Sequence, residues 1–153
     1  MKNCTLLFIL DEYKILLGLK KKGFGCDKWN GFGGKIMSGE SPETAAVREI
    51  KEEADLTVKP EYVERVAEID FHFAGRHVFR VFVFCAKHWT GTPLETEEME
   101  PRWFSISDIP YTEMWVGDSK WLPLVIRGKK IKALIDFYET GDKLLDFSWQ
   151  ELY

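Results

Sequence analysis

The sequence has no pair of cysteines spaced for a metal or a redox motif. Its three cysteines, Cys4, Cys26 and Cys85, are odd in number and far apart. That excludes a zinc ribbon and a disulfide framework, and it fits a reducing compartment. Cys4 and Cys85 fall in apolar stretches, where a buried small side chain is expected. Cys26 lies among glycines and is expected to be exposed. Long hydrophobic runs are also missing. Leu6-Leu7-Phe8-Ile9-Leu10 is followed at once by Asp11-Glu12, too short to cross a bilayer or to form a signal-peptide core. A cytoplasmic location with no membrane partner is the expectation. There is no excess of positive charge, since the formal net charge is -4. Such a chain has no general pull toward a nucleic-acid backbone, so no stable nucleic-acid partner is expected. The one basic run, Lys20-Lys21-Lys22, reads as a solvated strand end or loop. No repeat, low-complexity tract or Pro/Gly/Ser-rich linker divides the sequence. One domain over 1–153, acting as a monomer, is expected.

What is present is core material. Hydrophobic residues make up 45% and aromatics 14% of the 153 residues, enough for a packed interior. Cys4 to Leu10 and Ile15 to Leu19 read as a hairpin of buried strands around a polar turn. Gly23 to Gly34 reads as a glycine-rich loop whose backbone can approach a ligand closely. Ser41-Pro42 is a helix start, with Ser as cap and Pro at the first helical position. Glu43 to Ala54 continues it, with Ala46, Val47 and Ile50 at helical spacing. Ile69, Phe71 and Phe73 alternate as in a half-buried strand. Val78 to Ala86 has the β-branched and aromatic content of a central strand. A short strand at Arg102 to Ile106, a helix at Ser119 to Arg127, and strands at Ile131 to Tyr138 and Leu144 to Trp149 complete an α+β pattern.

The helix carries an unusual charge arrangement. Glu49 is three residues from Glu52 and four from Glu53, so all three share one face. Like-charge neighbours of this kind destabilise a bare helix by roughly 0.2–0.5 kcal/mol per pair. They also lie near the helix C-terminus, where the macrodipole favours cations. A divalent cation reverses both penalties, and magnesium prefers a few carboxylates, water and substrate phosphates. An ordinary solvated helix surface is the simpler explanation for the glutamates alone. The surroundings argue otherwise. Glu40 precedes the helix, and Arg48 stands four residues before Glu52. Asn30-Gly31-Phe32-Gly33-Gly34-Lys35 offers backbone amides and a cation next to the acidic face. Such groups can meet phosphate oxygens while a metal bridges phosphate to carboxylate.

These residues resemble the Nudix box. Gly34, five residues, Glu40, seven residues, then Arg48-Glu49-Ile50-Lys51-Glu52-Glu53-Ala54-Asp55-Leu56 is similar to G-x5-E-x7-R-E-U-x-E-E-x-G-U, where U is bulky and apolar. Every charged position matches. The single departure is Asp55 in place of glycine, where a left-handed helix cap is expected; Asp visits that conformation more readily than most residues, so local strain rather than lost chemistry is anticipated. The resemblance implies an α/β/α sandwich with a mixed central β-sheet, and hydrolysis of a nucleoside diphosphate linked to another group. It implies magnesium as cofactor, with manganese as the alternative. It assigns Glu49, Glu52 and Glu53 to metal-ligand and base positions, and the carbonyl of Gly33 to a further ligand position. Arg48 would orient a glutamate, and Glu40 would support the loop and helix start. Glu53 is the preferred water-activating or metal-binding carboxylate.

Most of the chain is similar to the oxidized purine nucleoside triphosphatases of animals and the bacterial MutT-type proteins. Gly18-x-Lys20-Lys21, Gly23-Phe24-Gly25, Trp29 to Lys35, Gly91-Thr92-Pro93, Glu98-Met99, Trp103-Phe104 and Met114-Trp115 carry the likeness. It implies cleavage of 8-oxo-dGTP and similar triphosphates to the monophosphate and pyrophosphate. Thr5, Lys20, Asn30, Phe32, Gly33, Gly34, Lys35, Trp115 and Asp118 then fall at substrate positions, and Glu98 at a further metal-site acid. Trp115 can stack on a base, Asn30 can donate and accept at its edge, and Asp118 can accept, or donate if protonated. Simpler roles exist for each: a core tryptophan, a helix cap at Asp118, a solvated loop at Glu98. The animal proteins carry two successive aspartates where this sequence has Gly117-Asp118. The alternatives are a Nudix hydrolase for an ordinary NTP, a dinucleoside polyphosphate or a capped RNA end; a nucleotide sensor without turnover; and a protein-interaction domain. Retention of every charged box position favours an enzyme over a sensor, and the six tryptophans that could support an interaction domain are also ordinary core composition.

Overall fold

The computed structural model describes residues 1–152. Nine strands form one sheet: β1 (Lys2–Leu10), β2 (Lys14–Lys20), β3 (Trp29–Asn30), β4 (Phe32–Lys35), β5 (Glu64–Phe73), β6 (Arg76–Ala86), β7 (Met99–Ser105), β8 (Ile131–Phe137) and β9 (Leu144–Glu151). Two helices flank it, α1 (Pro42–Ala54) and α2 (Asp118–Ile126). The main path runs β3-β2-β1-β6-β5-β8-β9, with β4 on β1 and β7 on β2. The β1–β6 and β5–β8 pairs are parallel and the others antiparallel. The sheet is therefore mixed, as expected.

Strand periodicity divides the core into two layers. In β1, Phe8 and Leu10 face one side, with Trp121, Leu122 and Val125 of α2. Leu7 and Ile9 face the other, with Ala46, Ile50 and Ala54 of α1. The same alternation runs through β6, where Val83 and Cys85 face the α2 side and Phe84 and Ala86 the α1 side. Helices thus cover both faces of one sheet, which is the α/β/α sandwich.

Helix α1 starts as its sequence indicates. Ser41 caps it by accepting from the Thr44 amide at 3.1 Å, and Pro42 opens the first turn. Asp55 closes it in the left-handed region, φ 55° and ψ 35°, with its N–H on the Lys51 carbonyl.

Three local expectations change. The Gly23 to Gly34 stretch is not all loop, because Trp29–Asn30 and Phe32–Lys35 are strands. Cys4 is half-buried rather than buried. Helix α2 begins at Asp118, one residue early, with Gly117 as its N-cap and no side-chain cap bond. Asp118 is therefore not the side-chain cap of that helix.

Candidate functional site

Arg48 organises the exposed end of the acidic face. Its Nε and Nη2 donate to the two oxygens of Glu40 at 2.7 and 2.9 Å, a bidentate fork. Its Nη1 donates to Glu49 at 3.0 Å and to Glu52 at 3.3 Å, and Nη2 also reaches the Lys35 carbonyl. Glu40 accepts in addition from the Met37 amide, so it ties the loop to the helix. The fork, and then that amide, hold the Glu40 carboxyl down at about 2.

Glu53 points the other way. It is only 2% exposed, and its Oε1 accepts from the Gly33 amide at 2.8 Å. Burial, reinforced by the charge of Glu49, pushes its carboxyl up to about 8. Burial also raises Glu49, with Glu52 and Glu98 adding to the effect against the pull of Arg48. Two glycines allow this closeness. A Cβ on Gly33 would lie 1.8 Å from the Thr5 carbonyl oxygen, and one on Gly34 would lie 2.6 Å from Glu49 Oε1.

A cavity opens beside Glu53 on the α2 side. Thr5, Lys20, Asn30, Gly33, Gly34 and Glu53 line its polar end; Trp115, Asp118 and a set of phenylalanines line the rest. Phe24, 62% exposed at the tip of the Gly23–Gly25 turn, tilts onto Trp115 with ring centroids 5.1 Å apart. Lys28 Nζ lies 5.3 Å over the same indole. Asp118 is 4% exposed. Its Oδ1 accepts from Trp121 Nε1 at 3.0 Å, while its buried Oδ2 has no protein partner. Burial pushes this carboxyl up to about 7. A buried, unpaired oxygen is costly, and a ligand donor removes the cost. The cavity as a whole suits a flat ring with a few hydrogen-bonding edges.

Gly117 is not merely a missing carboxylate. A Cβ there would sit 3.1 Å from Ile135 Cγ2. Ile135 would have to shift for any side chain to be added at Gly117.

Eight residues named from the sequence line this cavity: Thr5, Lys20, Asn30, Gly33, Gly34, Glu53, Trp115 and Asp118. Phe32, Lys35, Arg48, Glu49, Glu52 and Glu98 do not line it. Phe32 is fully buried in the α1-side core, because β4 alternates and turns that ring away from the cavity. Lys35 is exposed and meets Arg48 through its carbonyl. Glu52 and Glu98 remain exposed, as a rim acid and a loop acid need. Sequence reasoning missed Phe24, Phe73, Phe79 and Trp121 as wall residues. Trp121 had a signal, since it lies one helical turn after Asp118. Phe73 and Phe79 had none, because they converge only when β5 and β6 pair, whereas Phe24 stood in a segment that carried the likeness.

Among the described residues, no three His, Cys, Asp or Glu side chains converge as a ready-made cation cage. Magnesium does not need one, as it commonly takes one or two carboxylates and completes its shell with water and phosphate. Glu53 and Glu49 suit that role, because each is an acid kept from water beside like charge. A dication relieves both costs.

The chain is similar to known proteins over most of its length. The chain is 42% identical over 149 residues to the oxidized purine nucleoside triphosphate hydrolase of Mus musculus, covering 97% of this chain and 94% of that protein. The zebrafish (Danio rerio) protein of the same name is 42% identical, with 89% and 86% covered. The crystal structure of a mutator MutT protein from Bacillus halodurans superposes with a TM-score of 0.84 over 98% of both chains, at 22% identity. At that identity the likeness speaks for the fold. Nudix hydrolases in general need divalent metal ions. The NUDIX domain family model matches residues 3–125. With the box on α1 and this match over most of its length, the chain belongs to the Nudix family.

Proposed function

We propose that this chain hydrolyses an oxidized purine nucleoside triphosphate such as 8-oxo-dGTP to the monophosphate and pyrophosphate, with magnesium, or alternatively manganese, as cofactor. One observation carries the reading: the box carboxylate Glu53 lines the same cavity as Trp115 and Asp118. A base held at one end therefore brings its phosphates to the acidic end. The similarity to oxidized purine nucleoside triphosphate hydrolases over nearly the full chain supports it.

In this reading Trp115, with Phe24 packed on it, forms the wall against which the base stacks, while Asp118 and Asn30 meet its edge. Thr5 lines the wall between base and box. Lys20, Lys35 and the backbone of Gly34 face phosphate oxygens, while the Gly33 amide stays on Glu53. Glu49, Glu52, Glu53, Glu98 and the Gly33 carbonyl are the groups available to the metal. When bound, the cation neutralises phosphate charge and makes water a better nucleophile. Glu53 takes a proton as the water oxygen attacks phosphorus, and the anhydride bond between the α- and β-phosphates breaks. Arg48 keeps Glu49 and Glu52 oriented and stays protonated throughout. The unit of function is a single domain over 1–153, acting as a monomer in the cytoplasm.

The test is product analysis. Incubation of 8-oxo-dGTP with the protein and magnesium should give monophosphate and pyrophosphate, and EDTA should stop it. Binding without pyrophosphate release would mark a sensor and refute hydrolysis. Faster cleavage of a dinucleoside polyphosphate or a capped RNA would refute the substrate assignment.

A further inference from the structure

The segment between β6 and β7 crosses the C-terminal end of α1 and fastens to it. Helix ends leave carbonyls without partners. Here the Leu94 amide donates to the Ala54 carbonyl at 2.9 Å, and Thr96 Oγ1 donates to the Glu53 carbonyl at 3.0 Å. The second bond falls on the residue whose carboxylate enters the cavity. The same hydroxyl accepts from the amides of Glu98 and Met99, both at 3.3 Å. A hydroxyl has one donor and two acceptor sites, and all three are used. They link the backbone of Glu53 directly to the backbone of Glu98.

A second clamp holds the strap from the far side. The Lys21 amide donates to the Glu98 carbonyl at 2.9 Å. Lys21 Nζ donates to the Thr96 carbonyl at 2.8 Å and pairs with Glu95. Lys20, its neighbour on the strand, lines the cavity. Glu98 thus sits on a strap whose distance from α1 is set by the Thr96 hydroxyl.

We propose that Thr96 is a positioning residue of the hydrolytic site, whose hydroxyl fixes the separation of Glu53 and Glu98, with Lys21 bracing it from the β2 side. Thr96 touches neither substrate nor metal. It acts through the two acids, and the inference rests on the metal-dependent hydrolase reading given above. A plain helix-end role would cost stability only. A positioning role also changes how well the acids act together.

Thr96→Val keeps the shape and removes the hydroxyl; Thr96→Ser restores it. Four readouts separate the roles: Mn²⁺ affinity without nucleotide by electron paramagnetic resonance, kcat, KM for 8-oxo-dGTP, and Tm. The Val variant should weaken Mn²⁺ binding and lower kcat by about 10-fold or more, as loss of outer-shell support commonly does. KM should stay near the wild-type value, and the Ser variant should recover both quantities. Ile131→Val, in the distant α2-side core, controls for lost stability. If Thr96→Val loses only Tm, as Ile131→Val does, and keeps Mn²⁺ affinity and kcat, the proposal is overturned. Should Thr96→Val not fold, Lys21→Met decides, with wild-type Mn²⁺ affinity in that variant overturning the proposal. An inactive wild type with weaker Mn²⁺ binding in Thr96→Val would instead sink the hydrolase reading and uphold the positioning role.

Discussion

The Gly33 amide donates to Glu53 Oε1 at 2.8 Å, joining residues 20 apart in the chain. This bond brings the glycine strand and the acidic helix together. It also leaves Glu53 buried where a water on phosphorus would need a base. Replacement by Glu53→Gln keeps the shape and one acceptor oxygen. We expect kcat to fall by about 10²–10⁴-fold, the usual worth of a general base, with Tm close to wild type. Pyrophosphate release and a thermal melt check this together. Near-normal turnover would remove Glu53 from the mechanism.

The two glycines beside that bond should fail differently. Gly33→Ala drives a Cβ to 1.8 Å from the Thr5 carbonyl oxygen, and backbone cannot move aside cheaply. A loss of about 3 kcal/mol or more is expected, at the upper end of overpacking costs. Gly34→Ala meets only the tip of Glu49, at 2.6 Å. That side chain can swing, so stability should hold while metal affinity weakens. Urea melts and Mn²⁺ titration of both variants give the contrast. Equal stability losses would contradict it.

Asp55 occupies the left-handed cap that glycine fills most easily. Asp55→Gly should raise stability by about 1 kcal/mol, the cost of holding a side chain there. It also loses an exposed ion pair with Lys51, worth about 0.3–0.5 kcal/mol for such a helix spacing. The net gain is small but positive, and turnover should not change. A lower Tm would show that the ion pair outweighs the strain.

Asp118 gives stability a pH dependence. Its ordinary value is 3.8, and burial raises it to about 7 in the folded chain. Between those values the native state holds a proton that the unfolded chain has released. Its contribution to stability is therefore lost as pH rises through that range. Asp118→Asn cannot ionise. The stability of that variant relative to wild type should grow from about pH 3.8 to about 7, then level off. Urea melts across the range measure it. A difference that does not vary with pH would mean that Asp118 titrates normally.

Much of this was legible in the sequence, for local reasons. Ser41, Pro42 and the glutamate spacing fixed α1 and its acidic face, because caps and helical periodicity are short-range. Strand order was not legible, since β1 pairs with β6 across 77 residues. Phe32 was expected at substrate and lies in the core. The resemblance gave its position in the motif, but only the pairing of β4 with β1 decides which way its ring turns. The β3 strand was hidden by its length of two residues, and β4 because glycine has low strand propensity. The β4 strand forms because Gly33 lets two backbones approach where any Cβ would collide. Ile135 against Gly117 was equally invisible, as the two residues meet only through the fold.

The most direct test of the account is kcat/KM for 8-oxo-dGTP against dGTP, measured with magnesium on the wild-type protein. A cavity with an indole wall and a buried, half-paired Asp118 should favour the oxidized base, and the ratio should exceed one by at least about 10-fold, a difference of roughly 1.4 kcal/mol. Cleavage of dGTP as fast as 8-oxo-dGTP would contradict the proposed substrate and leave only a magnesium-dependent nucleotide hydrolase.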